Sequence, residues 1–148
     1  LWFRQSGSIP AWLAADPDGL LIRDAIERLL PLQEKTAPRL CHTDFWGGNV
    51  LCQEGKITSV VDWEEAAYGD PGMDVGYCYM NLVLEGLDRD AQDFLSTYRS
   101  VNPIPIANLT LWKLAAAVRP IYLPEGWIDR SPVRERFRKF VQETIQEA

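Results

Sequence analysis

Helical periodicity dominates the chain on both sides of one short extended segment. Between Asp16 and Pro31, apolar residues recur at every third or fourth position, which is the spacing of one face of a helix. Asp16-Pro17 has the form of an N-cap followed by proline at the first helical position, and Pro31 should end or kink the helix. The pattern therefore predicts an amphipathic helix between these two residues.

Helical spacing returns after residue 62 in four further segments. The segment from Ile106 to Arg119 is apolar around much of its surface, which is typical of a helix at the centre of a core, and Pro120 should stop it. The last segment carries its apolar residues on one face. The four predicted helices open at or near Asp70 or Asp74, Asp88, Ile106 and Ser131-Pro132.

The extended segment lies between these helical regions. Residues 49–52 and 57–61 are short apolar or β-branched runs, and the four residues that separate them include Gly55. This arrangement predicts a β-hairpin. We therefore expect an α+β fold that is mostly helical, with a small antiparallel ribbon between residues 40 and 62. The length of 148 residues fits one domain.

The net charge and its distribution along the chain limit which classes of molecule the protein is expected to bind. The net charge of −6 disfavours nucleic acid and anionic membranes, and no apolar run approaches the roughly 18 residues of a membrane-spanning helix. Residues 62–93 hold nine acidic residues and one basic residue. This block would attract a metal ion or a cationic small molecule if it lined a cleft, and it would be a solvated acidic surface otherwise.

The three cysteines do not form a metal-binding or disulfide pattern. They show no CxxC spacing, and together with the single histidine they do not provide ligands at the spacings of a zinc site. Because each has apolar neighbours, we expect buried, reduced thiols, which are typical of a cytoplasmic protein.

One group of polar residues is a candidate functional site. The only histidine, His42, begins an H-x-D-x-x-x-x-N segment that contains Asp44 and Asn49, and Asp62 follows thirteen residues later at the end of the second predicted strand. Phosphoryl transfer needs hard oxygen ligands for magnesium and a carboxylate that orients the attacking hydroxyl. The alternative is a loop whose Asp and Asn side chains cap turns above a packed histidine.

The motifs over residues 40–80 resemble those of the aminoglycoside phosphotransferase family, small-molecule kinases with a protein-kinase-like fold. The resemblance departs from the family at Thr43, where glycine is usual, and at Gly47, where proline is common. The matching segments are His42-Thr43-Asp44, Asn49-Val50-Leu51, Val61-Asp62-Trp63-Glu64 and Gly69-Asp70-Pro71 with Asp74.

The resemblance implies roles for six side chains, with Mg²⁺ as cofactor and ATP as co-substrate. The implied roles are catalytic aspartate for Asp44, metal ligands for Asn49 and Asp62, support of the catalytic loop for His42 and Asp74, and neighbour of the metal or substrate for Glu64. Glu64 could equally be an ordinary exposed acid. The fold that the resemblance implies is the C-terminal lobe of a protein-kinase-like enzyme, with the hairpin carrying the catalytic and metal-binding loops.

The lobe that covers ATP in such kinases has no counterpart in the sequence. It supplies a glycine-rich loop and a strand lysine, whereas the 41 residues before His42 contain one lysine, Lys35, and no glycine-rich hairpin. We therefore expect residues 1–148 to be the C-terminal lobe of an ATP-dependent phosphotransferase, inactive alone, that acts on a small hydroxylated acceptor. The acidic block suggests a cationic acceptor as one option. An uncovered apolar surface near the hairpin would favour self-association.

Two other classes of function remain open at this stage. The first is a non-catalytic kinase-like domain that binds or scaffolds a partner; the intact Asp44, Asn49 and Asp62 argue against it. The second is a metal-dependent hydrolase built on Asp44, Asp62, Asp70 and Asp74, which would release phosphate from esters without ATP.

Overall fold

The computed structural model describes residues 10–102, 105–123 and 125–148. Within these residues the chain forms six α-helices and two separate two-stranded antiparallel sheets. The mostly helical α+β prediction is confirmed. The helices are α1 (Ala11–Ala15), α2 (Pro17–Leu29), α3 (Gly72–Glu85), α4 (Asp88–Val101), α5 (Leu109–Tyr122) and α6 (Val133–Gln146); the strands are β1 (Arg39–Cys41), β2 (Val50–Gln53), β3 (Lys56–Val60) and β4 (Ala67–Gly69).

The core lies between α3 and α5, with α2, α4 and α6 packed around them. Most residues of α3 and α5 are buried, as expected for helices that are apolar on more than one face. Gly76 permits their close approach: a Cβ at this position would lie 2.9 Å from the Lys113 backbone nitrogen. The apolar segment that was predicted to lie at the centre of the core therefore does lie there, as α5.

The start of α2 is held by both local and distant contacts. The Asp16 side chain accepts hydrogen bonds from the backbone N–H groups of Asp18 and Gly19, at 2.9 and 3.2 Å, so the predicted N-cap is confirmed. Arg134 of α6 donates to the carboxylates of Asp16 at 2.8 Å and of the buried Asp18 at 2.9 Å. This ion-pair cluster fixes the last helix against the first long helix.

The two small sheets surround the loop that contains the polar motif. Strands β2 and β3 form the predicted hairpin with Val50 opposite Val60. Its turn has positive φ at Glu54 and Gly55, 52° and 73°, as tight hairpin turns require. Strand β1 pairs with β4, with Arg39 opposite Gly69. This second ribbon was not predicted, because strands of three residues have too little periodicity to detect.

Two details of the sequence prediction are wrong. Pro120 does not end α5, which continues to Tyr122. A proline removes only its own N–H from the hydrogen-bond ladder, and here the buried ring packs into the core while Leu123 N–H still donates to Arg119 at 3.3 Å. Cys41 and Cys78 are buried free thiols, as expected, but Cys52 is exposed because β2 is open to solvent.

None of the helices in the described ranges is both long enough and apolar enough to cross a membrane.

Candidate active site

The polar motif forms a compact loop between β1 and β2. Asn49 is buried, and its side-chain amide donates to the Asp44 backbone carbonyl at 2.9 Å and to Asp44 Oδ2 at 3.0 Å. A turn of 3₁₀-helix over Gly47–Asn49 brings the two residues together, with Asn49 N–H donating to Trp46 O at 3.0 Å. The five-residue spacing of Asp44 and Asn49 therefore corresponds to a direct contact.

Asp74 holds the beginning of this loop from the first turn of α3. Its two carboxylate oxygens each accept a backbone N–H, from His42 and from Thr43, both at 2.7 Å. Thr43 has a φ of 64°, a left-handed conformation that is uncommon for a β-branched residue. Its hydroxyl donates to Glu65 O at 2.8 Å, which offsets part of that strain. The glycine that is usual at this position would adopt the same φ without strain.

His42 connects the loop to the end of β3. Its ring is buried and Nε2 lies 2.7 Å from the carbonyl oxygen of Val61. Because a carbonyl only accepts, the proton lies on Nε2, and Nδ1 is then a buried acceptor with no partner within the described residues. The Trp63 ring packs at 4.7 Å from the imidazole, centroid to centroid. His42 thus fixes the residue that immediately precedes Asp62.

Asp62 lies at the mouth of the hairpin beside Asn49. Val61 N–H donates to Asn49 O at 3.0 Å, so the two strand ends are joined directly before Asp62. Asp62 has a φ of 66°, and its exposed carboxylate has no hydrogen-bond or ion-pair partner in the part of the chain that the structure describes. Backbone strain at an unpartnered carboxylate is typical of a functional position.

The oxygen atoms of Asn49 and Asp62 at the open end of the hairpin are of the kind that magnesium prefers. Asn49 uses its amide nitrogen on Asp44, which leaves the amide oxygen as its ligand atom, and Asp62 contributes a free carboxylate. Magnesium in kinases is commonly held by one or two such groups together with substrate phosphates and water. Among the described residues, no group of three or more His, Cys, Asp and Glu side chains is arranged to hold a metal ion by itself.

Sequence reasoning missed a second set of residues at Asp44. Arg119 of α5 donates through Nη1 to Asp44 Oδ1 at 3.2 Å and to Thr43 O at 2.9 Å, and through Nη2 to Glu65 Oε2 at 2.6 Å. Its guanidinium carbon lies 4.9 Å from the centre of the Tyr77 ring. The signal for Arg119 was present: it is one of two basic residues in an otherwise apolar central helix.

Burial, Arg119 and Asp44 all affect the pKa of the Tyr77 hydroxyl. Burial raises the pKa of the Tyr77 hydroxyl; the Arg119 cation opposes this shift, and the Asp44 carboxylate adds to it. Tyr77 is therefore a neutral hydrogen-bonding group beside Asp44 at physiological pH. Glu64 is exposed and makes no hydrogen bond or ion pair with the described residues, whereas its neighbour Glu65 binds Arg119.

A cavity of about 740 Å³ opens next to Asp44. Its walls are mainly apolar and aromatic, and among the described residues its charged lining consists of one cation and two carboxylates. The lining consists of Thr43, Asp44, Glu65, Met73, Tyr77, Trp112, Ala115, Ala116, Arg119, Tyr122, Leu123 and Trp127. The volume suits a drug-sized molecule.

Asp70 serves the scaffold and does not face this cavity. It is buried, accepts from Gly72 N–H at 2.8 Å, and binds the Asn108 amide at 2.8 Å. Burial alone would raise the pKa of Asp70, but the hydrogen bonds, led by that from Asn108, lower it below the usual value. Asp70 therefore remains charged and ties the start of α3 to the start of α5.

Comparison with known proteins identifies the family. The sequence model of the phosphotransferase enzyme family matches residues 2–108, more than half of the chain. The chain belongs to this family. The resemblance carried by residues 40–80 is thus confirmed as family membership.

Two proteins that are named as kinases share short stretches with the chain. The hygromycin-B 4-O-kinase of Escherichia coli is 50% identical over 36 residues, which is 24% of this chain and 11% of that protein. The methylthioribose kinase of Bacillus velezensis is 32% identical over 72 residues, 49% of this chain and 18% of that protein. Each match therefore spans less than a fifth of the relative. No solved structure gives a significant match.

Proposed function

We propose that the chain is the C-terminal, acceptor-binding lobe of an ATP-dependent small-molecule kinase that transfers the γ-phosphate of ATP to a substrate hydroxyl. The observation that carries the proposal is that Asn49 binds Asp44 through its side chain and Val61, the residue before Asp62, through its backbone, with Asp44 lining a cavity of about 740 Å³. Both relatives are named as kinases of small molecules, which supports the same chemistry.

In this proposal Asp44 acts on the acceptor. Asn49 holds one of its carboxylate oxygens and Arg119 the other, so the carboxylate is fixed at the edge of the cavity. It would orient the acceptor hydroxyl and take its proton as the new phosphate ester forms. Asp74 and His42 would preserve this geometry by holding the loop backbone and the end of β3.

Asn49 and Asp62 would hold Mg²⁺ with ATP as co-substrate. When bound, the ion would offset the negative charge of the phosphates. Glu64, adjacent to Asp62 and Trp63, would be a neighbour of the metal without a contact of its own in the loop.

The lobe that covers ATP would belong to a longer protein that contains this chain. An intact kinase needs a glycine-rich loop and a strand lysine, and we propose that a segment outside these 148 residues supplies them. The chain alone would then bind Mg-ATP weakly and transfer no phosphate. Such an ATP-using enzyme with free thiols fits the cytoplasm.

We propose that this lobe would pack on exposed apolar side chains of the two small sheets. Leu40 and Tyr68 face each other across β1 and β4 with 56% and 79% of their surface exposed, and Ile57 on the hairpin is also exposed. We propose that the isolated chain self-associates through this surface. Light scattering tests this directly, since a strictly monomeric chain at high concentration would contradict it.

The test measures how much ADP the longer protein forms when a candidate acceptor is added. The acceptors are amino sugars, choline, homoserine and macrolides, and each is tested with magnesium present and with magnesium chelated. We expect a phosphomonoester product with at least one acceptor, formed only with magnesium. A scaffolding domain would give no acceptor-dependent ADP, and a hydrolase would release phosphate from simple esters without ATP. The internal hydrogen bonds of Asp70 and Asp74 already argue against the hydrolase. Micromolar affinity of the isolated chain for ATP would contradict the assignment as a single lobe.

A further inference from the structure

The acidic block that suggested a cationic acceptor lies almost entirely outside the cavity. Of the nine acidic residues between positions 62 and 93, Glu65 alone is among the cavity-lining residues. Asp70 and Asp74 are occupied by hydrogen bonds within the scaffold. The charge of the block therefore does not describe the charge that an acceptor would meet.

The two carboxylates that do line the cavity already share a cation. The Arg119 guanidinium bridges Asp44 at 3.2 Å and Glu65 at 2.6 Å, and it also donates to Thr43 O. Its face is covered by the Tyr77 ring at 4.9 Å. Arg119 cancels one of the two carboxylate charges, which leaves a net charge of −1 for the three residues, and it is itself a like charge to an acceptor ammonium group beside Asp44.

The remaining walls are suited to an apolar group. Met73, Tyr77, Trp112 and Trp127 surround the cavity, and Ala115 and Ala116 of α5 provide a flat wall of small side chains. Aromatic and aliphatic surfaces of this kind gain binding free energy when they cover an apolar substituent. Apart from the charged groups at Asp44, few polar atoms are available to the ring hydroxyls and amines of a polycationic sugar.

We propose that the acceptor is an uncharged hydroxyl compound with an apolar or aromatic substituent, and that Arg119 is the residue that selects against cationic acceptors. This inference rests on the proposed function, because it concerns the acceptor side of the same site. The hydroxyl would lie at Asp44 and the substituent against the aromatic wall around Trp112.

Three matched probes test the inference: phenyl, methyl and 4-(aminomethyl)phenyl β-D-glucopyranoside. Their affinities for the full-length protein are measured by ligand-observed NMR titration in the absence of ATP. We expect the phenyl glucoside to bind about tenfold more tightly than the methyl glucoside, because its ring is buried. We expect the ammonium group of the third probe to weaken binding about tenfold relative to phenyl, because it would leave water for an apolar wall in the same cavity as the Arg119 cation.

Substitutions of Arg119 and Glu65 distinguish selection by charge from a general loss of binding. Arg119→Gln leaves Asp44 and Glu65 unmatched, so the aminomethyl probe should gain at least about fivefold in affinity relative to the phenyl probe. Glu65→Gln should weaken the aminomethyl probe further, which provides a reading if Arg119→Gln does not fold. Arg89→Gln, an exposed arginine on α4, should change none of the ratios.

Three outcomes would overturn the inference: tighter binding of the aminomethyl probe to the unaltered protein, unchanged ratios in the Arg119 and Glu65 variants, or no binding of any probe. Because the assay contains no ATP, it is independent of phosphoryl transfer. A protein that showed the expected ratios and transferred no phosphate would contradict only the proposed function, and one that phosphorylated polycationic acceptors alone would contradict only the selectivity.

Discussion

Replacing Asp74 with asparagine should destabilise the fold through two backbone hydrogen bonds. Both carboxylate oxygens accept an N–H at 2.7 Å, from His42 and from Thr43, in a partly buried position. Asparagine keeps the shape but offers one acceptor, and its amide nitrogen faces the second N–H as a donor. Hydrogen bonds to charged groups contribute about 1.5–3 kcal/mol each, so losing one and weakening the other should lower the free energy of unfolding by about 3 kcal/mol.

Urea denaturation of the 148-residue chain measures this change. We expect a lower midpoint with an unchanged m-value, because the surface exposed on unfolding is the same. Asp88→Asn is the matched control: Asp88 also lies in the first turn of a helix, but it is exposed and makes no capping hydrogen bond. The control removes a similar helix-dipole interaction, which is worth about 0.3–1 kcal/mol.

The difference between the two variants therefore isolates the loop contacts of Asp74. A loss no larger than that of Asp88→Asn would refute the reasoning, since it would mean that the catalytic-loop backbone does not depend on Asp74. A large loss accompanied by a changed m-value would indicate a change in the unfolded or native ensemble instead of lost hydrogen bonds.

Three further predictions concern the scaffold. Arg134→Gln should lower the free energy of unfolding by about 2–3 kcal/mol, because it leaves the buried Asp18 with only its longer, 3.6 Å ion pair to Arg138. A loss near zero in urea denaturation would contradict the importance of the Arg134 ion pair. Thr43→Val should destabilise by about 1 kcal/mol through the lost hydroxyl contact, whereas Thr43→Gly, which also relieves the left-handed strain, should lose less stability than Thr43→Val. Equal losses would show that φ at this position is not strained. With a thiol reagent at pH 8, Cys52 should react in the native state, whereas all three thiols should react in denaturant. The reason is that burial raises the pKa of Cys41 and Cys78 to about 11. For the same reason the free energy of unfolding should fall as pH rises from about 9 toward 11, because the thiols of the unfolded chain lose their protons first.

Local signals in the sequence were sufficient for the longer helices, the hairpin and the loop, but not for the three-residue strands β1 and β4. The Asp16-Pro17 cap, the hairpin turn at Gly55 and the spacing of Asp44 and Asn49 are short-range features, and each corresponds to a short-range contact in the structure. A propensity or a spacing of a few residues determines such contacts without knowledge of the rest of the fold.

The contacts that complete the site are long-range, and the sequence does not show which residues they join. Arg119 reaches Asp44 across 75 residues, and this contact depends on how α5 packs against α3. The pairing of β1 with β4 likewise depends on the path of the intervening hairpin. The acidic block does not describe the cavity for a related reason: its nine acidic residues lie close in sequence, but Glu65 alone among them lines the cavity.

Turnover of the Asp44→Asn variant is the most direct test of the central claim. It is measured in the full-length protein as magnesium-dependent phosphate transfer to a hydroxyl acceptor, with thermal unfolding as the check on folding. If Asp44 takes the acceptor proton, turnover should fall by at least about 100-fold while the unfolding temperature stays close to that of the unaltered protein. A folded variant that transfers phosphate at the parental rate would contradict the assignment of Asp44 and the account built on it.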